Sequence, residues 1–219
     1  MIRAVLLDVD GTLIDSNDAH ARAWVDVGEE FGFEIEFGRV RWMIGMGGDR
    51  VLPDLTGLEE ESERGREMLD RRGEIFRERY LPRLGAFMGT HDLLKRLRAD
   101  GRKLVVATSA SGKDLSALLK QADLGDLIDD STNSDEAEES KPAPDIVEAA
   151  LEKAGVPASE VVMLGDTPYD VKAAQRAGVR IIGLRCGGWN DRDLQGAIEI
   201  HDDPAGLLRL YDRSILAAD

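Results

Sequence analysis

The chain has 219 residues, of which 42% are hydrophobic and 32% charged, with a formal net charge of −15 and a pI of about 4.7. It is long enough to bury a substantial core, and so acidic a surface disfavours nucleic acids and anionic membranes as partners. The single cysteine, Cys186, excludes an internal disulfide and suits a reducing compartment. No apolar run reaches the length of a membrane span or of a signal peptide, so a cytoplasmic protein is expected.

In chain order, the short apolar run at 2–7 predicts a buried strand. From Ser16 the pattern becomes helical: Ala19, Ala23, Val27 and Phe31 recur every four residues, with Trp24 beside them. Gly45-Met46-Gly47-Gly48 interrupts this helical region. Leu58 to Tyr80 is charged and helical, with Met68, Leu69, Ile75 and Phe76 as its apolar stripe. Leu81-Pro82-Arg83-Leu84-Gly85 breaks it and reads as a linker. Helices at 89–99, 112–122, 144–154 and 168–177 then alternate with strands at 103–108, 161–164 and 179–184, and the acidic stretch Asp129 to Glu139 reads as a solvated loop. Strands separated by helices argue for an α/β fold with a parallel sheet covered on both faces. The expected organisation is a core of 1–15 and 83–219, with 16–82 inserted as a helical block after the first strand.

Ligands of open parallel sheets gather at the carboxyl ends of the strands, and four strand ends here carry suggestive chemistry. Asp8-Val9-Asp10-Gly11-Thr12 follows directly on Ala4-Val5-Leu6-Leu7. Residues two apart leave a strand on one side, so Asp8 and Asp10 form a carboxylate pair. Such a pair attracts Mg²⁺ and can divide into a nucleophile and a general acid/base; a plain Asp-Gly turn is the structural alternative. Thr108-Ser109-Ala110-Ser111 offers hydroxyls and backbone N–H groups to a phosphate, or simply caps a helix. Lys141, before Pro142, is a candidate fixed cation. In Gly165-Asp166-Thr167-Pro168-Tyr169-Asp170, Asp166 is a candidate metal ligand, and Asp170 caps the helix and supports the metal site from behind.

In their order and placement these motifs resemble the haloacid dehalogenase-like hydrolase superfamily, and the resemblance covers essentially the whole chain. It implies a Rossmann-like doubly wound core with an inserted α-helical cap. Asp8 would attack phosphorus to give an aspartyl-phosphate, and Asp10 would protonate the leaving oxygen and later activate water. Mg²⁺ would be held by Asp8, the Asp10 carbonyl and Asp166. Thr108, the Ser109 N–H and Lys141 would stabilise the phosphoryl oxygens, with Ala110 in the same loop. In the cap, His20 lies at the core–cap interface, and the loop from Gly45 to Arg50 would contact the substrate.

The resemblance implies a phosphatase acting on a small phosphorylated metabolite, phosphoglycolate-like or sugar-phosphate-like, by a monomer or weak homodimer. The alternatives are a β-phosphoglucomutase-like enzyme and a catalytically silent binding module. Ile44, where the mutases carry a lysine, speaks against the mutase.

Overall fold

A computed structural model describes residues 1–217. Among them, six strands form one sheet: β1 (Ala4–Leu7), β2 (Lys103–Ala107), β3 (Asp130–Thr132), β4 (Val161–Gly165), β5 (Arg180–Leu184) and β6 (Glu199–His201). Their order is β3-β2-β1-β4-β5-β6, and every neighbouring pair is parallel. The order reverses direction between β1 and β4, so the crevice beyond their carboxyl ends is where a doubly wound sheet accepts a ligand. Leu7 stands opposite Val106 on one side and Leu164 on the other. Asp8 and Asp166 therefore emerge close together from the middle of the sheet.

The strands alternate between two packed faces. Val5, Leu7, Val106 and Leu164 belong to the core that includes Leu93, Leu94 and Leu97 of helix α5 (Thr90–Ala99) and Leu115 and Leu118 of α6 (Gly112–Gln121), once the four earlier helices are counted as α1 to α4. Leu6, Val105 and Met163 face Ile146, Val147 and Ala150 of α7 (Asp145–Ala154) and Val171 and Ala174 of α8 (Pro168–Arg176).

The four helices between β1 and β2 are α1 (Asn17–Phe31), α2 (Phe37–Arg41), α3 (Gly48–Thr56) and α4 (Glu63–Ile75). Helix α1 buries the expected stripe of Ala19, Ala23, Trp24 and Val27. Ser62 starts α4 by accepting the Gly65 N–H. The two chain segments that join these helices to the sheet run side by side, with Asp15 N–H donating to Gly85 O and Phe87 N–H to Leu13 O.

One expectation needs correction. The acidic stretch 129–139 is not only loop, because Asp130–Thr132 pairs with β2 as the edge strand β3. Its polar composition suits an edge, where the side chains meet solvent. The chain also continues past Leu184 into β6 and helix α9 (Pro204–Arg209), which Asp203 caps by accepting the Gly206 N–H. These elements are short and carry little periodicity of their own.

Leu6 is fully buried in the central strand. Leu6→Ala is expected to lower unfolding stability by about 2–5 kcal/mol, while Met88→Ala, at a largely exposed position, should change it by less than about 0.5 kcal/mol. Urea unfolding of the three proteins checks both values.

Candidate active site

Beyond β1 the backbone turns at Gly11, whose φ of +82° is in the left-handed region. A Cβ there would also collide with Asn17 Nδ2 and the Asp166 carboxylate, and a Cβ on Gly187 would run into Asp166 from another side. Both glycines therefore let backbone close around the carboxylate. Asp166 accepts from Thr12 Oγ1 at 2.9 Å and from Asn17 Nδ2 at 3.2 Å.

Lys141 is wholly buried, and its Nζ lies 2.7 Å from Asp8 Oδ1 and 2.8 Å from Asp170 Oδ1. The other Asp170 oxygen accepts from the Thr167 N–H at 3.0 Å and from Thr167 Oγ1 at 2.7 Å. Thr167 Oγ1 in turn accepts the Asp170 N–H, which closes a reciprocal cap at the start of α8, with Pro168 in its first turn. Asp170 thus both caps the helix and fixes the lysine. Oxygens of Asp8, Asp166 and Asp170 all lie within 4.8 Å of one another.

Three carboxylates and one ammonium leave this buried cluster negative. Burial above all, helped by Asp170 and Asp10 and opposed by Lys141, pushes the Asp8 carboxyl up to about 7. Asp166 is raised well above its ordinary value by burial and by Asp8 and Asp170. Burial works against the Lys141 charge, but Asp170 and Asp8 outweigh it and hold the ammonium more firmly protonated. An excess of buried carboxylate oxygen suits a hard divalent cation. Asn17 Oδ1 is buried beside the cluster without a hydrogen-bond partner. Such an orphaned acceptor fits the water that Mg²⁺ keeps in its coordination shell.

The Asp10 carboxylate is engaged elsewhere. Its Oδ1 accepts from Ser16 Oγ at 2.5 Å and bonds His20 Nε2 at 2.8 Å. Ser16 precedes α1 but makes no side-chain cap to it, because its hydroxyl is used by Asp10 and Ile14 O. Arg72 Nη2 donates to His20 Nδ1, which leaves Nε2 as the nitrogen that carries a proton to Asp10. Burial would raise the Asp10 carboxyl, but His20, Ser16 and the Arg72 charge together bring it below its ordinary value.

The hydroxyls after β2 separate into two roles. Thr108 is almost fully buried, and its Oγ1 accepts the Ala110 N–H at 3.1 Å. Ser109 is half-buried, and its Oγ accepts the Lys141 backbone N–H at 3.4 Å. Thr108 and Ser109 both line the cavity described next. Among the described residues, the N–H groups of Val9, Asp10 and Ser109 have no protein acceptor.

A cavity of about 560 Å³ opens over these groups, lined by Asp8, Asp10, His20, Gly45, Thr108, Ser109 and Ala110 among others. Arg50 does not line it. Its guanidinium bonds Glu139 at 2.6 Å and the carbonyl of Ser140, a residue of the cavity wall, at 3.2 Å. Asn17, Arg72, Arg77 and Asp114 carry no sequence signal of their own, because a helical arginine or an asparagine or aspartate near a helix start is ordinary by composition. Asn17 is revealed by its bond to Asp166, and Arg72 and Arg77 by their reach to Asp114 on α6.

The sequence profile described as haloacid dehalogenase-like hydrolase matches residues 5–184. The chain is 35% identical over 193 residues to protein SUPPRESSOR OF QUENCHING 1, chloroplastic, of Arabidopsis thaliana; the match covers 84% of this chain but spans only 18% of that protein. It is 30% identical to the probable phosphatase IndB of Dickeya dadantii, over 84% of this chain and 81% of the relative. A hydrolase from Pseudomonas syringae shares the fold at a TM-score of 0.89 and 29% identity, covering 96% of this chain and 98% of that one. The profile match takes in β1, β2, β4 and β5, whose ends supply the carboxylates and hydroxyls described above, and the chain belongs to the haloacid dehalogenase-like hydrolase family.

Proposed function

We propose that this chain is a Mg²⁺-dependent phosphatase that hydrolyses a small phosphate monoester through an aspartyl-phosphate on Asp8. The observation that carries the reading is the buried contact of Lys141 with Asp8 Oδ1 inside a cluster of three aspartates. It fixes one Asp8 oxygen and leaves Oδ2 free to act as the nucleophile. The similarity to a probable phosphatase supports the reaction class.

Asp8, Asp166 and the Asp10 carbonyl would hold the cation, with Asp170 fixing Lys141 beside it. Bound there, Mg²⁺ would neutralise phosphoryl and carboxylate charge that otherwise repel each other. The N–H groups of Val9, Asp10 and Ser109, the Ser109 hydroxyl and Lys141 would receive the phosphoryl oxygens. Asp8 Oδ2 would form the bond to phosphorus while the ester oxygen leaves with the proton from Asp10. Water, deprotonated by Asp10, would then attack phosphorus and release Asp8 and inorganic phosphate.

In the ligand-free site Asp10 favours the ionised state. A phosphate dianion arriving beside it adds like charge and raises its affinity for a proton. His20 and Ser16 hold the carboxylate in place throughout. Residues 16–82 would act as a cap that closes the cavity and limits substrate size, which favours phosphoglycolate-like or sugar-phosphate-like metabolites over proteins. A mutase must retain a second phosphate in this space. Ile44 offers it no charge, and Arg50 is committed to Glu139.

Three outcomes are expected. In a phosphate-release screen with Mg²⁺, Asp8→Asn should lose nearly all turnover and keep the native melting temperature; retained activity would refute covalent catalysis. Mg²⁺ at one hundred times its Kd should stabilise the wild-type chain by about 2.7 kcal/mol, and this gain should vanish in Asp166→Ala; an equal gain in both would move the metal elsewhere. Thr108→Val should reduce kcat/KM, because Thr108 lines the cavity and its hydroxyl keeps its proton free for a phosphoryl oxygen. Unchanged kcat/KM would remove Thr108 from the phosphate-binding role.

A further inference from the structure

The glycine-rich loop that leads into α3 is pinned to the core at Ser140, the residue before Lys141. Ser140 is buried, and the loop takes up each of its polar groups. Its Oγ accepts the Gly47 N–H at 2.9 Å and donates to Asp49 Oδ1. Its N–H donates to Asp49 Oδ2 at 3.2 Å, and its carbonyl accepts from Arg50 Nε at 3.2 Å. So close an approach requires glycine at position 47, where a Cβ would come within 2.5 Å of Ser140 Oγ and 2.7 Å of Ser140 Cβ. Gly48, Asp49 and Ser140 all line the cavity, so this contact forms part of its wall. The next residue is fixed without help from the loop. Lys141 donates its backbone N–H to Ser109 Oγ and its ammonium to Asp8 and Asp170. Loop and core are therefore separable at Ser140. The side chains of Asp49 and Arg50 are 32% and 36% exposed, so water reaches them and replaces their bonds when the loop lifts. A contact made of such hydrogen bonds opens at less cost than a buried apolar interface of the same extent.

We propose that Ser140 is a positioning residue that seats the glycine-rich loop over the site and so sets the size limit on the substrate. This rests on the phosphatase reading and assigns closure of the cap to one residue of the core. With the loop seated, the wall is complete around a small ester. An ester whose organic part extends past the wall keeps the loop lifted, and Asp49 and Ser140 then meet water instead of each other. A small ester thus gains the free energy of closure, which a large one forgoes. Ser140 acts on the ester through the loop.

The full chain is compared with Ser140→Ala and with Asp49→Ala, which removes the contact from its partly exposed side. Amide hydrogen exchange of residues 45–50 is followed by mass spectrometry, with residues 161–184 as the reference for global opening. Both substitutions should speed exchange at 45–50 by about tenfold or more and leave 161–184 unchanged. Unchanged exchange at 45–50 overturns the proposal. A variant that speeds both segments equally is globally loosened, and the other variant then decides; both behaving so overturns the proposal as well. Turnover is measured with Mg²⁺ on phosphoglycolate and on a phosphoserine peptide, which is too long to lie beneath the seated loop. Each variant should lose about tenfold in kcat/KM on phosphoglycolate, carried mainly by KM, with the rate on the peptide unchanged. A parallel loss on both esters, or a loss on neither, contradicts the size limit. Absence of phosphate release from either ester by the unaltered chain counts against the phosphatase reading, while exchange at 45–50 still judges the seating of the loop.

Discussion

The Lys141 ammonium, wholly buried between Asp8 and Asp170 at 2.7 and 2.8 Å, is the contact on which the arrangement of the site depends. A buried carboxylate is costly unless paired and hydrogen-bonded, and here three are gathered at the carboxyl ends of β1 and β4. The lysine offsets part of that charge. Asp170 spends its second oxygen on the cap of α8, so the position of the lysine is tied to the start of that helix. Asp166 is held by Thr12 and Asn17, and thereby by the turn after β1 and the first residue of α1. The surplus negative charge that remains is what the proposed cation would neutralise.

The sheet order explains why these groups meet at all. Asp8 and Asp166 are far apart in sequence, yet β1 and β4 are adjacent and in register, with Leu7 opposite Leu164. Two glycines, Gly11 and Gly187, then allow backbone to approach Asp166 more closely than any side chain would permit. The helices inserted after β1 contribute a second layer. Ser16, His20 and Arg72 form a chain of hydrogen bonds ending on Asp10, and Arg72 and Arg77 reach α6 through Asp114. The same arginine, Arg72, therefore touches both the support of Asp10 and Asp114 in the cavity wall.

Much of this was legible in the sequence where a residue's role is set locally. The strand before Asp8, the stripe of α1 and the Thr167–Asp170 cap follow from periodicity and spacing. The strand ends bring together Asp8, Lys141, Asp166 and Asp170 as their motif order suggested. What was not legible depends on partners distant in the chain. Arg50 looks like a free cation beside a glycine-rich loop until Glu139 is placed against it. Thr108 and Ser109 are chemically equivalent hydroxyls until the fold gives Thr108 Oγ1 the Ala110 N–H and Ser109 Oγ the Lys141 backbone N–H. The edge strand β3 is short and polar, and it is defined by β2 rather than by its own residues.

The central claim is that Asp8 becomes covalently phosphorylated. The chain is mixed with Mg²⁺ and a turned-over phosphate ester, quenched in acid during the first turnover, and treated with borohydride, which reduces an acyl phosphate to an alcohol. Peptide mapping by mass spectrometry should then find homoserine in place of Asp8 and nowhere else, with none formed when the ester is omitted. Reduction at another aspartate, or an unmodified Asp8 in an actively turning-over sample, would contradict the account.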